Sequence, residues 1–306
     1  MVVQGSGRKK GFTASLMENV VQNLEGMKGL DVEVYHLHDY TYGPCKSCFH
    51  CIRNVGSGCI LEDDWGRKRK GELFQGFVRA NGLLVVDPVH GWGMSAQARL
   101  FLERIYPTFW EGVPYGLPFA SISCASNQGF QTRATAELCK LAAGSGFRYI
   151  GGLPVHVAYI REARPKAVEL GFRIADAAIE DEHSGRHKLT DEEIFLMYRG
   201  TPWDIVDGYL ENITDGTFAY ETSVPARALR DGVFTDPEAR CLLDKTCTHL
   251  KAALDHYALH DRRAAAIELS RAAKFWTNAT FKQFLEKDVV RAHIPRAYRP
   301  LEELGE

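Results

Sequence analysis

Leu83-Leu84-Val85-Val86 constrains this chain most: four apolar residues without polar alternation describe a strand buried on both faces. Such strands occur where helices cover both sides of a parallel sheet. The flanking sequence repeats the same unit. A short apolar strand over 1–4 precedes helical spacing at Leu16, Val20, Val21 and Leu24, and Val32, Val34 and Leu37 read as a second strand. Asp63 and Asp64 stand where they could cap a helix carrying Leu73, Phe74 and Phe77. Beyond the 83–86 run, the pattern predicts helices over 96–105, 133–143 and 165–180, and strands over 119–124 and 149–155. Five strands alternating with helices predict an α/β fold with a doubly wound, five-stranded parallel sheet, and the order 2-1-3-4-5 suits that number. The first strand is short, which fits a native start a few residues upstream.

From about His183 the character changes, so residues 1–183 are expected to form the sheet domain and 184–306 a helical C-terminal region. Gly185-Arg186-His187-Lys188 reads as a linker. Helical spacing then covers 191–198, 237–260 and 262–287, followed by a proline-containing tail over 293–300. Leu242, Leu250, Leu254, Phe275, Phe281 and Phe284 give apolar faces that must be buried in the chain or on a neighbour. Closed two-fold assembly is the commonest outcome, and a homodimer or homotetramer is expected. Phe275, Trp276 and Phe281 fit helical core or subunit contact better than a ligand pocket.

With 306 residues, 45% of them hydrophobic and 25% charged, the composition is that of an ordinary globular protein. A formal charge of -2 gives no reason to expect nucleic acid or an anionic membrane as partner. No apolar run reaches the roughly 18–20 residues of a membrane span, and no signal-peptide pattern opens the chain. A cytoplasmic location is therefore expected. There, eight cysteines are metal ligands or free thiols rather than disulfides.

Gly5-Ser6-Gly7-Arg8-Lys9-Lys10-Gly11-Phe12-Thr13 links the first strand to the first helix. At that place backbone N–H groups and the helix dipole favour an anion. The glycines admit close approach, Ser6 and Thr13 bring hydroxyls, and Arg8 a planar cation. The loop matches neither the Walker nor the dinucleotide motif, so a phosphomonoester such as that of FMN fits better than a pyrophosphate. The plain alternative is a solvated turn. Asp87-Pro88-Val89-His90-Gly91-Trp92-Gly93-Met94-Ser95 and Ala125-Ser126-Asn127-Gln128-Gly129 follow the third and fourth strands, on the strand-end edge where such sheets bind ligands. Polar, glycine-bearing loops with one aromatic suit a flat ring with hydrogen-bonding edges.

Cys45-x2-Cys48-x2-Cys51-x7-Cys59 places four cysteines in fifteen residues. Spacings of two turn three thiols toward one point, and Gly56 and Gly58 let the chain return with the fourth. Zinc knuckles usually come as separated pairs, whereas this spacing is that of a [4Fe-4S] cluster; zinc and free thiols are the alternatives. Cys124, Cys139, Cys241 and Cys247 read as small buried apolar residues. Arg67-Lys68-Arg69-Lys70 suits the phosphate of an NADPH, an acidic redox protein or, more commonly, a solvated helix face.

The phosphate loop, the cysteine motif running into Glu62-Asp63-Asp64, and Pro88 through Gln97 together resemble the iron–sulfur flavoproteins, a group within the NADPH-dependent FMN reductase family of flavodoxin-like proteins. The resemblance covers roughly residues 1–180. Phe12 stands where the family usually has asparagine and His90 where it usually has tyrosine. The resemblance implies that Ser6, Arg8, Gly11 and Thr13 hold the FMN phosphate, that Pro88, Val89, His90, Gly91, Trp92 and Met94 wrap the ring, and that Cys45, Cys48, Cys51 and Cys59 hold a cubane nearby. Ser126, Gln128 and Gly129 are expected to join the flavin site. The implied activity is a flavin- and iron–sulfur-dependent oxidoreductase joining one- and two-electron steps, with NAD(P)H or a ferredoxin among the candidate partners. His90 is the candidate group to hydrogen-bond or tune the reduced flavin, or else a solvent-facing loop residue. A clusterless NAD(P)H-dependent flavin or quinone reductase, and a regulatory protein with a redox or zinc switch, are the competing functions.

Overall fold

A parallel sheet carries the first of two units, Met1–Leu189 and Thr190–Glu306, in the computed structural model of the chain. Residues 1–199 and 204–286 are described. Strand β1 (Val2–Gln4) pairs with β2 (Val34–His36) on one side and β3 (Leu83–His90) on the other. β5 (Pro118–Ala125) and β6 (Arg148–His156) extend the sheet, giving the order β2-β1-β3-β5-β6 with every pairing parallel. That is the expected order. The addition is β4 (Gly93–Met94), which folds back antiparallel on the end of β3.

The apolar run in β3 works as its lack of alternation implies. Leu84 and Val86 pack on one face with Val2, Ile122 and Val155, and Leu83 and Val85 on the other with Val3 and Phe119. The first face is covered by α1 (Phe12–Leu24), through Leu16, Val20 and Leu24, and by α7 (Ile160–Ser184), through Ala167, Leu170 and Ile174. Gly171 lets these two helices touch, because a Cβ there would lie 2.5 Å from Val20 Cγ1. The second face is covered by α3 (Glu72–Arg79), α4 (Ala96–Arg104) and α6 (Gln131–Gly144), contributing Leu73, Phe74, Phe77, Phe101 and Leu138. Each such buried side chain contributes about 1.5–3 kcal/mol. Two short helices, α2 (His50–Arg53) and α5 (Tyr106–Phe109), complete the unit.

Three local expectations change. Helix α7 starts before Pro165 rather than at it, and its apolar stripe outweighs the one helical bond the proline removes. Asp63 and Asp64 cap no helix: α3 begins eight residues after Asp64, and Asp63 instead accepts from the backbone of Trp65 and Gly66. The basic run is no helix face, since Arg67, Lys68 and Arg69 have left-handed φ values of 48°, 49° and 74°. Arg69 pairs with Glu111 at 2.6 Å and lies over the Phe74 ring.

The described part of the second unit is helical: α8 (Asp191–Met197), α9 (Ile205–Ile213), α10 (Val224–Arg230), α11 (Pro237–Ala258) and α12 (Arg262–Thr280), with a π turn over Phe281–Leu285. α8, α11 and α12 fall where helices are predicted; α9 and α10 are additional. Thr190 and Glu193 form a capping box at α8, and Asp236 and Asp261 cap α11 and α12. One core gathers Val206, Leu210, Leu250 and Leu269, another Phe234, Leu243 and Phe275. Phe275 and Phe281 are buried and Trp276 packs against Phe234, as core residues do. Phe284 is exposed. Cys241 is also exposed, against expectation, whereas Cys124, Cys139 and Cys247 are buried. The predicted tail over 293–300 and the last residue of the 262–287 helix lie outside the described residues.

Candidate functional site

The phosphate loop leaves β1 at Gly5, whose N–H donates to Val86 O at 3.0 Å. It enters α1 at Gly11, and no side chain caps this thirteen-residue helix. Its first turn carries no acidic residue, so the leading N–H groups and the positive end of the helix dipole are uncompensated. Ser6 and Thr13 are buried beside this terminus, and Ser6 Oγ accepts from Arg8 N at 3.1 Å. Arg8 is exposed; Lys9 is drawn aside by Asp39 at 2.6 Å. A glycine-bearing loop, buried hydroxyls and an uncapped helix start suit an anion in charge.

Pro88 and Val89 lie within β3, where Pro88 pairs with Cys124 and Val89 with Met94. Gly91 and Trp92 make the two-residue turn between β3 and β4 with φ values of 56° and 64°. His90 pairs with Gly93 through the backbone, and its side chain faces solvent. The Trp92 indole is 62% exposed. It donates to Gln128 Oε1 at 3.2 Å and stacks on Phe130 at 5.8 Å. Ser126 closes the β5 turn by accepting from Gly129 N at 3.1 Å. Thus the three predicted groups do stand at the carboxyl ends of the neighbouring strands β1, β3 and β5.

Sequence reasoning missed the residue that ties two of these loops together. Asp87, within β3 and just past the last residue that pairs with β1, is fully buried. Its Oδ2 accepts from Ser95 N at 2.7 Å and its Oδ1 from Ser95 Oγ at 2.5 Å. Ser95 Oγ in turn accepts from Ala98 N and so caps α4. Gly5 presses on the same carboxyl, since a Cβ there would lie 2.0 Å from Asp87 Oδ1. Burial pushes the Asp87 carboxyl up to about 7, against the pull of the Ser95 hydrogen bonds. Glu137, which accepts from Met94 N at 2.9 Å, adds a like charge.

The cysteine loop leaves and rejoins the unit at one point: Asp64 N donates to Thr41 O at 3.1 Å and Thr41 N to Asp64 Oδ2 at 2.7 Å. Left-handed φ at Ser47, Phe49, Gly56 and Gly58 coils it. The end of α4 grips both halves. Glu103 Oε1 accepts from Cys45 N at 2.7 Å, and Arg104 donates to Gly43 O, to Asp63 and, at 3.5 Å, to Cys59 Sγ. All four cysteines line one cavity of about 880 Å³, walled by Leu102, Ile105, Phe109 and Leu141. Burial, reinforced by the neighbouring thiols of Cys45, Cys59 and Cys48, pushes the Cys51 thiol up to about 12. Four thiols facing one largely apolar cavity suit an iron–sulfur cluster in donor type and number. Among the described residues, however, no three His, Cys, Asp or Glu side chains converge as a metal site. No helix among them is long and apolar enough to cross a membrane.

Comparison with known proteins agrees with the first unit. The family model for NADPH-dependent FMN reductases matches residues 1–159. An iron–sulfur flavoprotein of Methanocaldococcus jannaschii is 28% identical over 105 residues, 34% of this chain and 50% of that protein. One of Archaeoglobus fulgidus is 26% identical over 102 residues, 33% and 48% of the two chains. The chain spans about half the length of these curated relatives. Among solved structures, RosB with a bound intermediate is 15% identical, covering 62% of this chain and 81% of that one, with a TM-score of 0.44. A flavone reductase is 17% identical, covering 61% and 66%, also at 0.44.

Proposed function

Because the chain belongs to the NADPH-dependent FMN reductase family, we propose that it is a flavin-dependent oxidoreductase that holds FMN at the carboxyl edge of its sheet and an iron–sulfur cluster in the 45–59 loop. The observation that carries the flavin reading is the uncapped start of α1, with buried Ser6 and Thr13 beside it. Ser6, Thr13 and the N–H groups opening α1 bind the phosphate, Gly11 admits it, and Arg8 swings in as its cation. The β3–β4 hairpin, from Pro88 to Met94, and Ser126, Gln128 and Gly129 orient the ring system. Trp92 covers it, and His90 is placed to hydrogen-bond its polar edge.

FMN supplies two-electron and an iron–sulfur cluster one-electron chemistry when bound. Cys45, Cys48, Cys51 and Cys59 would hold the cluster, with Glu103 and Arg104 fixing the loop around it and the apolar cavity wall limiting water. The electron donor is NAD(P)H or a reduced ferredoxin, the acceptor a small molecule or redox protein, and the working form a homodimer or homotetramer. The lack of converging metal ligands among the described residues favours one second reading, a clusterless NAD(P)H-dependent flavin or quinone reductase. Anaerobic purification followed by a visible spectrum and flavin, iron and sulfide assays tests both. Flavin with iron and sulfide supports the first reading, flavin alone the second, and absence of flavin removes both.

A further inference from the structure

We infer that Asp87 is a positioning residue that couples proton binding to FMN binding, its ionised carboxyl opposing the phosphate end of the cofactor and its protonated form admitting it. The inference rests on the FMN reading above. Three geometric facts carry it. Asp87 is fully buried within β3, just past the last residue that pairs with β1. Its Oδ1 lies against Gly5, the residue that opens the phosphate loop, so closely that only a glycine fits. Both of its oxygens are held by Ser95, which ends the flavin hairpin and caps α4. The carboxyl therefore stands between the loop that takes the phosphate and the hairpin that takes the ring.

Its surroundings fix the sign. Ser123 pairs with it on β5, neutral Gln4 ends β1, and the charged group facing it is Glu137 of α6, of like sign. No cation pairs with Asp87 among the described residues. The carboxyl ordinarily loses its proton near 4, but here burial raises that value to about 7. A phosphate arriving at Ser6 brings further negative charge, so phosphate and proton favour each other's binding, and by reciprocity the affinity for FMN falls as pH rises through neutrality.

The test is FMN titration of the flavin-free full chain by fluorescence quenching, from about pH 5.5 to 8.5, across the range where such linkage acts. Wild type, Asp87→Asn and Ser95→Ala are compared, with riboflavin as the phosphate-free probe. Wild type is expected to lose about three- to tenfold more FMN affinity across that range than Asp87→Asn, in which only the phosphate's own ionisation remains. Riboflavin binding should change less. Ser95→Ala removes a donor that stabilises the carboxylate, so its midpoint should move to higher pH, which decides the matter even if Asp87→Asn fails to fold. Superimposable wild-type and Asp87→Asn profiles, or an unmoved Ser95→Ala midpoint, overturn the inference and leave FMN binding standing. Failure to bind FMN at any pH rejects the FMN reading and the inference with it.

Discussion

Arg104 and Asp63 meet as a two-pronged ion pair, Nη1 to Oδ2 at 2.7 Å and Nη2 to Oδ1 at 3.0 Å, with the arginine side chain only 1% exposed. Burial alone would raise the Asp63 carboxyl, but the hydrogen bonds from Arg104 and from Gly66 and Gly43 N–H hold it below the ordinary carboxylate range. Arg104→Leu should cost about 3–5 kcal/mol, the usual penalty for leaving one partner of a buried pair alone. Thermal unfolding would measure it, and thiol labelling at Cys59 should quicken as the loop loosens. A folded pKa below the unfolded one makes this contribution complete above about pH 4 and lost as pH falls through the lowered value. Loop accessibility should therefore rise on acidification, and in Arg104→Leu that acid dependence should shrink.

The phosphate loop gives a second expectation. Arg8→Ala with Thr13→Ala removes two contacts to the phosphate, each on the order of 1.5–3 kcal/mol for a charged partner. FMN affinity should fall at least tenfold while riboflavin affinity changes little. Unchanged FMN affinity in the double variant would remove this loop from the site.

Gly5→Ala should be damaging out of proportion to one methyl group. Its Cβ would fall 2.0 Å from Asp87 Oδ1 and 2.9 Å from Ser95 Oγ, both of them buried side chains. Overpacking of this kind costs about 1–3 kcal/mol. Lower melting temperature together with weaker FMN binding is the expected result.

Cys48→Ser should abolish iron and sulfide, expected at about four each per chain, and broad absorption while sparing the flavin bands. Zinc in the wild type, or no metal after anaerobic handling, would decide against the cluster.

Among the described residues each unit has hydrophobic cores of its own. A chain ending at Leu189 should therefore fold and bind FMN with affinity close to that of the full chain. If the C-terminal helices build the oligomer, light scattering should find the shorter chain monomeric and the full chain dimeric or larger.

The sheet was readable because Leu83 through Val86 admits little besides a doubly covered strand, and because Leu16, Val20 and Leu24 mark one helix face. β4 was not readable: two residues carry no periodicity. Helix α9 hides behind an interior Gly208 that weakens its local preference. Asp87 looks in sequence like the polar end of a strand, and only the hairpin folding back over it makes it buried. Glu103 and Arg104 look like a solvated helix end; the cysteine loop that covers them comes from about sixty residues away, as the Cys45–Glu103 bond shows. Local pattern cannot register such long-range cover.

The joined backbone at Thr41 and Asp64 has a consequence for the loop it closes. A segment whose two ends meet can be lengthened or shortened between them while the strands on either side keep their register, because loop length adds only slowly to the entropy of closure. The thiols of the 45–59 segment thus sit on a graft, whereas Gly5, Asp87 and Ser95 are woven into the sheet. Changes confined to that loop can therefore alter its four thiols while the strands of the sheet keep their register.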